Sequence, residues 1–345
     1  MNILILCYEF PPIGGGTGKA LSELLWEFTN HKEININVLT SHQGKGILTE
    51  RYSDNVWIFK IGIKKKSLYY WRMPELLRWH MKAWIYYKRL LRQKYDLVHS
   101  FFGFPTALIP YLTRKKVPYI ISLRGSDVPG FNSRALIPKK LNDKIWNEAQ
   151  DIVCNSYYLA NLSGLMKSTI IYNGAKIKFV HRKRPERLTA LTVGRLIKRK
   201  RIDWIIKACS NVNLIITGDG PEREHLENIA GKNVKFLGHK EPDYTAADVY
   251  ISASEHEGMS NSILEAMSSG LPLIVSRCSS ELVKNNGYVI NSPEQIKEAL
   301  GALDLDKFSM ASIELSRKHS WKEISERYIE LYKKVSCKET NNAKK

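Results

Sequence analysis

Two acidic side chains, Glu257 and Glu265, flank a run of small polar residues that reads as the start of a helix. In Ser254-Glu255-His256-Glu257-Gly258-Met259-Ser260-Asn261-Ser262-Ile263-Leu264-Glu265-Ala266-Met267, a short apolar strand (Val249 to Ser252) leads into a polar loop and then into a stretch of helical periodicity. Ser260, Asn261 and Ser262 are N-cap residue types, so the helix is expected to open near Ser260 or Asn261 with its first amides pointing outward. A diphosphate suits such a terminus. Glu257 in the loop and Glu265 about one turn inside the helix can each accept hydrogen bonds from sugar hydroxyls, one on a transferred sugar and one on a ribose. Taken singly, Glu257 is an ordinary loop carboxylate and Glu265 an ordinary solvated helix position.

A second segment, Val193-Gly194-Arg195-Leu196-Ile197-Lys198-Arg199-Lys200-Arg201, follows another apolar strand and places its basic side chains at the carboxyl edge of a sheet, where open α/β sheets bind ligands. Arg195 offers a bidentate fork and Lys200 a point charge, a pair suited to a leaving diphosphate. A third, Pro11-Pro12-Ile13-Gly14-Gly15-Gly16-Thr17-Gly18-Lys19, is neither a P-loop, because Ile13 and Ala20 stand at its glycine and hydroxyl positions, nor a dinucleotide fingerprint, because Lys19 stands at the third glycine. Glycines between a strand and a helix still let amides approach an anion, and a plain tight turn explains them equally well.

The elements that must position these residues alternate between strand and helix. Asn2 to Cys7, Ile34 to Thr40, Val56 to Ile63, Asp96 to Ser100 and Tyr119 to Leu123 read as strands of one parallel sheet. After a basic break at Lys176 to Arg187 the pattern restarts with Leu188 to Val193, Leu214 to Thr217, Val234 to Leu237, Val249 to Ser252 and Leu271 to Val275. The expected organisation is an α/β domain over 1–170, a linker over 171–187, a second α/β domain over 188–318, a helix over 319–336, and a disordered polar tail over 337–345.

Together these segments resemble the retaining glycosyltransferases of family GT4, with the GT-B fold, which include bacterial enzymes of lipopolysaccharide, capsule and phosphatidylinositol-mannoside synthesis. The matching pieces are Tyr8-Glu9-Phe10-Pro11-Pro12 with the glycine loop, Asp96-Leu97-Val98-His99-Ser100, Ser122-Leu123-Arg124-Gly125-Ser126-Asp127, Asn173-Gly174, Gly194-Arg195 with Lys200, Gly218-Asp219-Gly220-Pro221-Glu222, Phe236-Leu237-Gly238 and Glu257-x7-Glu265-Ala266-Met267. The resemblance implies two Rossmann-like α/β domains facing across a cleft, and a metal-independent transfer of sugar from a nucleotide-diphosphate donor, with UDP or GDP expected and no cofactor. It implies catalytic roles for Arg195, Lys200 and Glu257, with Arg195 and Lys200 neutralising the diphosphate, and donor contacts from Gly194, Gly218, the amides of Gly258, Met259, Ser260, Asn261 and Ser262, and the Glu265 carboxylate. Amides of Gly14, Gly15 and Gly16 would face the reaction centre, and the base would lie against the loop after Gly238, partly through backbone atoms of Lys240. His99, Arg124 and Asp127 are assigned to sugar or acceptor contacts, Arg124 standing where many relatives carry a histidine. The usual Gly-Gly-x-Pro-Glu run is missing between Ser276 and Gly287.

Charge narrows the partners. The formal net charge is +19, and from Lys60 to Tyr95 eleven basic residues face one acid, Glu75. A helix over Glu75 to Lys94 would turn Leu76, Trp79, Ala83, Trp84, Tyr87, Leu90 and Leu91 to the sheet and Arg78, Lys82, Lys88, Arg89 and Arg92 to water. With the Lys64-Lys65-Lys66 loop, this face is expected to rest on an anionic membrane surface, which suits a lipid-linked or oligosaccharide acceptor. Its aromatics lie on the apolar face, which argues against the nucleic-acid-binding alternative; a nucleotide-sugar 2-epimerase is the alternative of the same fold. No apolar run approaches the ~20 residues of a membrane span, and Glu9 with Pro11-Pro12 breaks the first apolar run before a signal h-region forms, so the expected location is cytoplasmic, peripheral to the inner face of the cell membrane. The five scattered cysteines, with no Cys-x-x-Cys pair, read as small buried hydrophobes.

Overall fold

The runs Asn2–Leu6, Leu97–Phe101 and Tyr119–Leu123 form strands buried on both sheet faces. The computed structural model describes residues 1–68, 70–128, 139–165, 167–176 and 186–342. Most of the expected linker, 177–185, lies outside the described residues, as do the last three residues of the expected tail. The chain divides into two units, Met1–Tyr172 with Trp321–Lys345, and Asn173–Ser320.

In the first unit the elements run β1 (Asn2–Leu6), α1 (Gly16–Phe28), β2 (Asn35–Gln43), β3 (Ile47–Arg51), β4 (Val56–Ile63), α2 (Met73–Leu90), β5 (Leu97–Phe101), α3 (Leu108–Tyr111), β6 (Tyr119–Leu123), α4 (Lys139–Asn147), β7 (Asp151–Cys154), α5 (Tyr157–Ser163) and β8 (Thr169–Ile170). They build an eight-stranded sheet in the order β3-β4-β2-β1-β5-β6-β7-β8, parallel except for the hairpin of β3 on β4. The short strands β3, β7 and β8 escape the sequence pattern, β3 because all five of its residues are exposed and it carries no apolar face.

The second unit holds β9 (Thr189–Val193), α6 (Ile202–Ala208), β10 (Asn213–Thr217), α7 (Arg223–Ile229), β11 (Val234–Gly238), β12 (Val249–Ser252), α8 (Asn261–Ser268), β13 (Leu273–Ser276), β14 (Gly287–Ile290), α9 (Pro293–Gly301) and α10 (Leu305–Arg317). Its six parallel strands are ordered β11-β10-β9-β12-β13-β14. Counted within the unit this is 3-2-1-4-5-6, the order of a doubly wound mononucleotide-binding sheet, with its topological switch point between β9 and β12. Both strand runs expected to carry the chemistry therefore end at one crevice.

The last helix, α11 (Trp321–Asn342), belongs to the first unit. Its Trp321, Ile324, Tyr328 and Tyr332 pack with Ile3, Ile5, Phe28 and Phe101, and each fully buried aromatic of this kind stabilises by about 1.5–3 kcal/mol. The helix continues to Asn342, where composition alone suggests an unordered tail; Lys338 and Glu339 are good helix formers and extend a helix already nucleated by packing. Four of the five cysteines are buried, but Cys337 is exposed, which corrects its reading as a core residue.

Two histidines of the first unit are held neutral, His99 buried and His80 half-buried. His99 on β5 is fully enclosed, with Nδ1 2.7 Å from the Tyr332 hydroxyl and Nε2 2.7 Å from Ser122 Oγ. Burial holds its imidazole well below the ordinary range, helped by the nearby Arg124 charge. Burial likewise lowers His80 to about 4, opposed by its bond to the Leu76 carbonyl. Unfolding returns both rings to about 6.5, so the unfolded chain binds more protons below that value. Stability is accordingly expected to fall as pH drops from about 6.5 toward 5, by up to about 1.4 kcal/mol per pH unit for each histidine. Thermal unfolding followed across this window checks it, and a flat profile would contradict the neutral, buried state.

Candidate active site

The site of the second unit starts from backbone, because its loops touch where no side chain fits. A Cβ on Gly218 would stand 1.9 Å from the Gly194 carbonyl oxygen, and one on Gly220 would stand 2.3 Å from that of Leu196. Gly194 N–H donates to Thr217 O at 2.9 Å, Leu196 N–H to Asp219 O at 3.0 Å and Gly218 N–H to Gly238 O at 2.8 Å. The loops after β9, β10 and β11 are thus joined main chain to main chain. Gly194 and Gly218 contribute this close approach. Asp219, accepting from Gly220 N–H and paired with Arg223 at 3.0 Å, pins the second loop.

From the β9 loop a short 3-10 turn, Lys198–Lys200, swings Lys200 back over Gly194. Its ammonium pairs with the Glu257 carboxylate, both side chains being 13% exposed. The other Glu257 oxygen lies 3.8 Å from Arg199, whose guanidinium also donates to the His256 carbonyl at 2.9 Å. Arg201 adds a pair to Glu255 at 3.3 Å. The loop before α8 is therefore clamped to the loop after β9 by three basic residues, of which the sequence pattern singles out only Lys200. Arg195 stands exposed on the same loop, one residue past Gly194.

The helix α8 opens at Asn261 with Ser260 at its N-cap, and no side chain caps it. Ser260 and Ser262 instead turn their hydroxyls to each other at 3.0 Å, and Ser262 Oγ accepts from the Tyr250 hydroxyl at 2.8 Å. Asn173 holds Asn261 in place by donating to its Oδ1 at 2.7 Å and reaches the Met259 carbonyl at 3.4 Å. Further along the helix, Glu265 accepts from the Tyr244 hydroxyl at 2.7 Å. Burial, and then the Glu265 carboxylate, raise Tyr244 well above the ordinary tyrosine range, so it stays a donor. Tyr244, Tyr250 and Arg199 support the predicted residues without any spacing signal; they come from other elements and meet the site only in the fold. Gly258 and Met259 lie in the loop between Glu257 and the helix, Met259 buried. The Lys240 N–H is turned back on Gly238 O at 2.9 Å, so of the backbone atoms expected to face a base only its carbonyl is available.

In the first unit the geometry departs further from expectation. Gly14, at a φ of +103°, could carry no Cβ, which would stand 2.6 Å from Glu9 Cβ. The Glu9 carboxylate accepts from Gly15 N–H at 3.1 Å, at the opening of α1, which begins with Gly16. An anion does sit at this glycine loop, and it is the protein's own. His99 is withdrawn as a sugar contact, since both ring nitrogens are engaged inside the core. Asp127 is withdrawn likewise: it is buried and accepts from the amides of Gly103, Arg124 and Gly125 at 2.6–2.9 Å, shaping the loop after β6. Arg124 donates to the Tyr328 hydroxyl at 3.1 Å and stacks over Phe101 at 4.4 Å.

A doubly wound sheet with cations and a helix start at its switch point is an arrangement that suits a nucleotide, and known proteins share the fold. Residues 187–305 match the family model described as Glycosyl transferases group 1. A 155-residue segment is 33% identical to the UDP-N-acetylglucosamine--peptide N-acetylglucosaminyltransferase GtfA subunit of Streptococcus agalactiae, covering 38% of this chain and 30% of that protein. A 98-residue segment is 33% identical to the lipopolysaccharide core biosynthesis glycosyltransferase LpsE of Rhizobium meliloti, covering 25% of this chain and 29% of that protein. The matches thus span less than a third of either relative. Among solved structures, sucrose-phosphate synthase from Thermosynechococcus elongatus superposes with a TM-score of 0.79 at 17% identity, over 97% of this chain and 99% of that one. Anabaena HepE in complex with UDP gives 0.68 at 18% identity, over 97% and 100%. The fold is that of the GT-B glycosyltransferases, and these relatives give the epimerase reading no support.

The joined glycine loops make a stability prediction. Gly218→Ala forces a Cβ onto a carbonyl oxygen at a φ of +133°, and is expected to destabilise the protein by about 3 kcal/mol or more. Gly15→Ala, with nothing within 4 Å of the added Cβ, is expected to shift stability by no more than about 1 kcal/mol. Denaturant unfolding of the two variants checks the contrast.

Proposed function

We propose that this chain is a retaining, metal-independent glycosyltransferase. It transfers a sugar from a nucleoside-diphosphate sugar, with UDP or GDP as the nucleotide, to a lipid-linked or saccharide acceptor of cell-surface polysaccharide synthesis, at the inner face of the cell membrane. The observation that carries the reading is the Lys200–Glu257 pair beside the uncapped start of α8, at the sheet's switch point. The reported complex of HepE with UDP supports a uridine nucleotide, and the relative named for lipopolysaccharide core biosynthesis supports the acceptor class.

In this mechanism the diphosphate lies against the first amides of α8, where the helix dipole and free N–H groups favour negative charge. Lys200 and Arg195 meet the charge that builds on the leaving phosphate, and stabilisation there lowers the barrier more than it tightens ground-state binding. Glu257 holds a hydroxyl of the transferred sugar, with Arg199 and Lys200 sharing its charge. Glu265 accepts from the ribose hydroxyls, oriented by Tyr244. Acceptor binding falls to the first unit.

Membrane attachment draws support from α2, in a form that differs from expectation. Lys65 is buried, paired with Glu75 at 3.2 Å and donating to the Tyr70 carbonyl, so it is withdrawn from the lipid-facing set. In its place α2 exposes an apolar stripe at four-residue steps: Met73, Leu77, Met81 and Ile85, 54–71% exposed, beside the exposed Arg78, Lys82 and Arg89. No helix among the described residues is long and apolar enough to cross a membrane. A surface helix with this pattern dips its apolar stripe among acyl chains while the cations meet anionic headgroups.

Two experiments test the reading. Lys200→Ala is expected to lower kcat on the cognate donor by roughly 10²- to 10³-fold, while Glu265→Ala chiefly weakens nucleotide binding; wild-type kinetics in both would contradict the site. A thermal-shift screen of UDP, GDP, dTDP and ADP and their sugars identifies the donor to use. For the membrane, co-sedimentation with phosphatidylglycerol vesicles is expected at low salt, to be weakened by salt and by Met81→Glu, and to be absent with phosphatidylcholine alone. Equal binding to both vesicle types would contradict attachment through this face.

A further inference from the structure

The amino-terminal end of the first unit's sheet carries a cavity that the proposed donor chemistry leaves unused. Its volume is about 300 Å³, at the lower end of the roughly 300–1,000 Å³ of small-molecule sites. Asn2 opens β1 and pairs in register with Asn35, which opens β2, and Asn37 pairs with Trp57 of β4. The glycine loop leaves the opposite, carboxyl end of β1, so the cavity and the loop lie at opposite ends of the sheet.

The lining is rich in neutral amides. Asn37 Nδ2 donates to the Tyr95 hydroxyl at 2.6 Å and to Gln93 Oε1 at 3.3 Å, and Tyr95 donates to the same oxygen at 3.2 Å. Asn35 Nδ2 donates to Asn2 Oδ1 at 3.0 Å. These bonds fix the amides and leave one pole of each outward: Asn35 Oδ1, Asn37 Oδ1 and the Gln93 NH₂ take no partner among the described residues. Beside them Trp57 is 39% exposed in the same cavity, with the Arg51 guanidinium over its ring at 5.9 Å.

This chemistry selects a class of ligand. Sugar hydroxyls both donate and accept, and fixed amides offering separate acceptors and donors match them without a charge. A sugar ring also has an apolar face that fits an aromatic plane. An anion is a poor match, because Lys94 is the one cation lining the cavity and Asp54 lies opposite it in charge. A purely apolar ligand would leave the amides unpaired. We propose that this cavity is a second carbohydrate site, taking a neutral monosaccharide unit or a short stretch of oligosaccharide. If the glycosyltransferase reading holds, the site keeps a saccharide chain on the first unit; the binding itself does not rest on that reading.

An array of immobilised neutral oligosaccharides, with acidic ones as comparators, tests it using the full chain. The wild type is expected to retain neutral glycans, with binding weakened roughly tenfold by Trp57→Ala and by Asn37→Ala and unchanged by Lys200→Ala. Trp57→Ala decides the matter should Asn37→Ala fail to fold, since its side chain is partly exposed and thermal melting verifies the fold. Absence of neutral-glycan binding, preference for acidic glycans, signal indifferent to Trp57→Ala, or signal lost with Lys200→Ala would each overturn the proposal. Donor turnover measured on the same wild-type preparation separates the two readings: glycan binding without turnover leaves this site standing and removes the enzyme, and turnover without glycan binding does the reverse.

Discussion

The arrangement of the second unit hangs on a contact between two backbones. Gly218 lies so close to the Gly194 carbonyl that a single added carbon would overlap it, and that approach lets the loops after β9, β10 and β11 bond main chain to main chain. The joined loops form a stiff shelf at the sheet's switch point. Lys200, folded back over Gly194, takes its position from that shelf and not from its own flexible stem. Glycine here supplies both the space and a positive φ, +133° at Gly218.

On this shelf an ion pair does two things. Exposed pairs contribute about 0–1 kcal/mol, and a pair with 13% of each side chain exposed gains more attraction but loses more hydration. Its value is therefore geometric. Glu257 keeps the ammonium near the opening of α8, and the ammonium with Arg199 offsets the charge of Glu257. The N-cap residue of that helix, Ser260, makes no side-chain cap bond. At the first unit's glycine loop Glu9 already accepts from the Gly15 amide, so one of the protein's own carboxylates occupies the opening of α1.

Much of the fold and half of the site could be read from the chain itself. Val56–Ile63, Tyr119–Leu123 and Val249–Ser252 match the apolar runs residue for residue, since strands buried on both faces must be continuously apolar. The helix opens at Asn261, where Ser260, Asn261 and Ser262 mark a start in the sequence, although Ser260 at the N-cap makes no cap bond. What stayed hidden depends on partners distant in sequence. His99 looks like a strand-end ligand until Tyr332, 233 residues away, is seen to bond it. Lys65 looks solvated in a run of lysines until Glu75 is found buried against it. Tyr244 and Tyr250 have no motif because each acts by orienting another side chain. The helical wheel of α2 correctly buries Trp79, Ala83 and Tyr87 but does not reveal that Leu77, Met81 and Ile85 face water, because a wheel sorts residues by type and only packing decides which apolar ones are covered.

The most direct test of the central claim is a structure of the chain with UDP, or with whichever nucleoside diphosphate stabilises it most. The account predicts phosphate oxygens within about 3 Å of the Lys200 ammonium and of amides in the first turn of α8, with the nucleoside's ribose at Glu265 and the Lys200–Glu257 contact loosened to admit the anion. A nucleotide bound elsewhere, with Lys200 still held by Glu257 and the start of α8 facing only water, would contradict it.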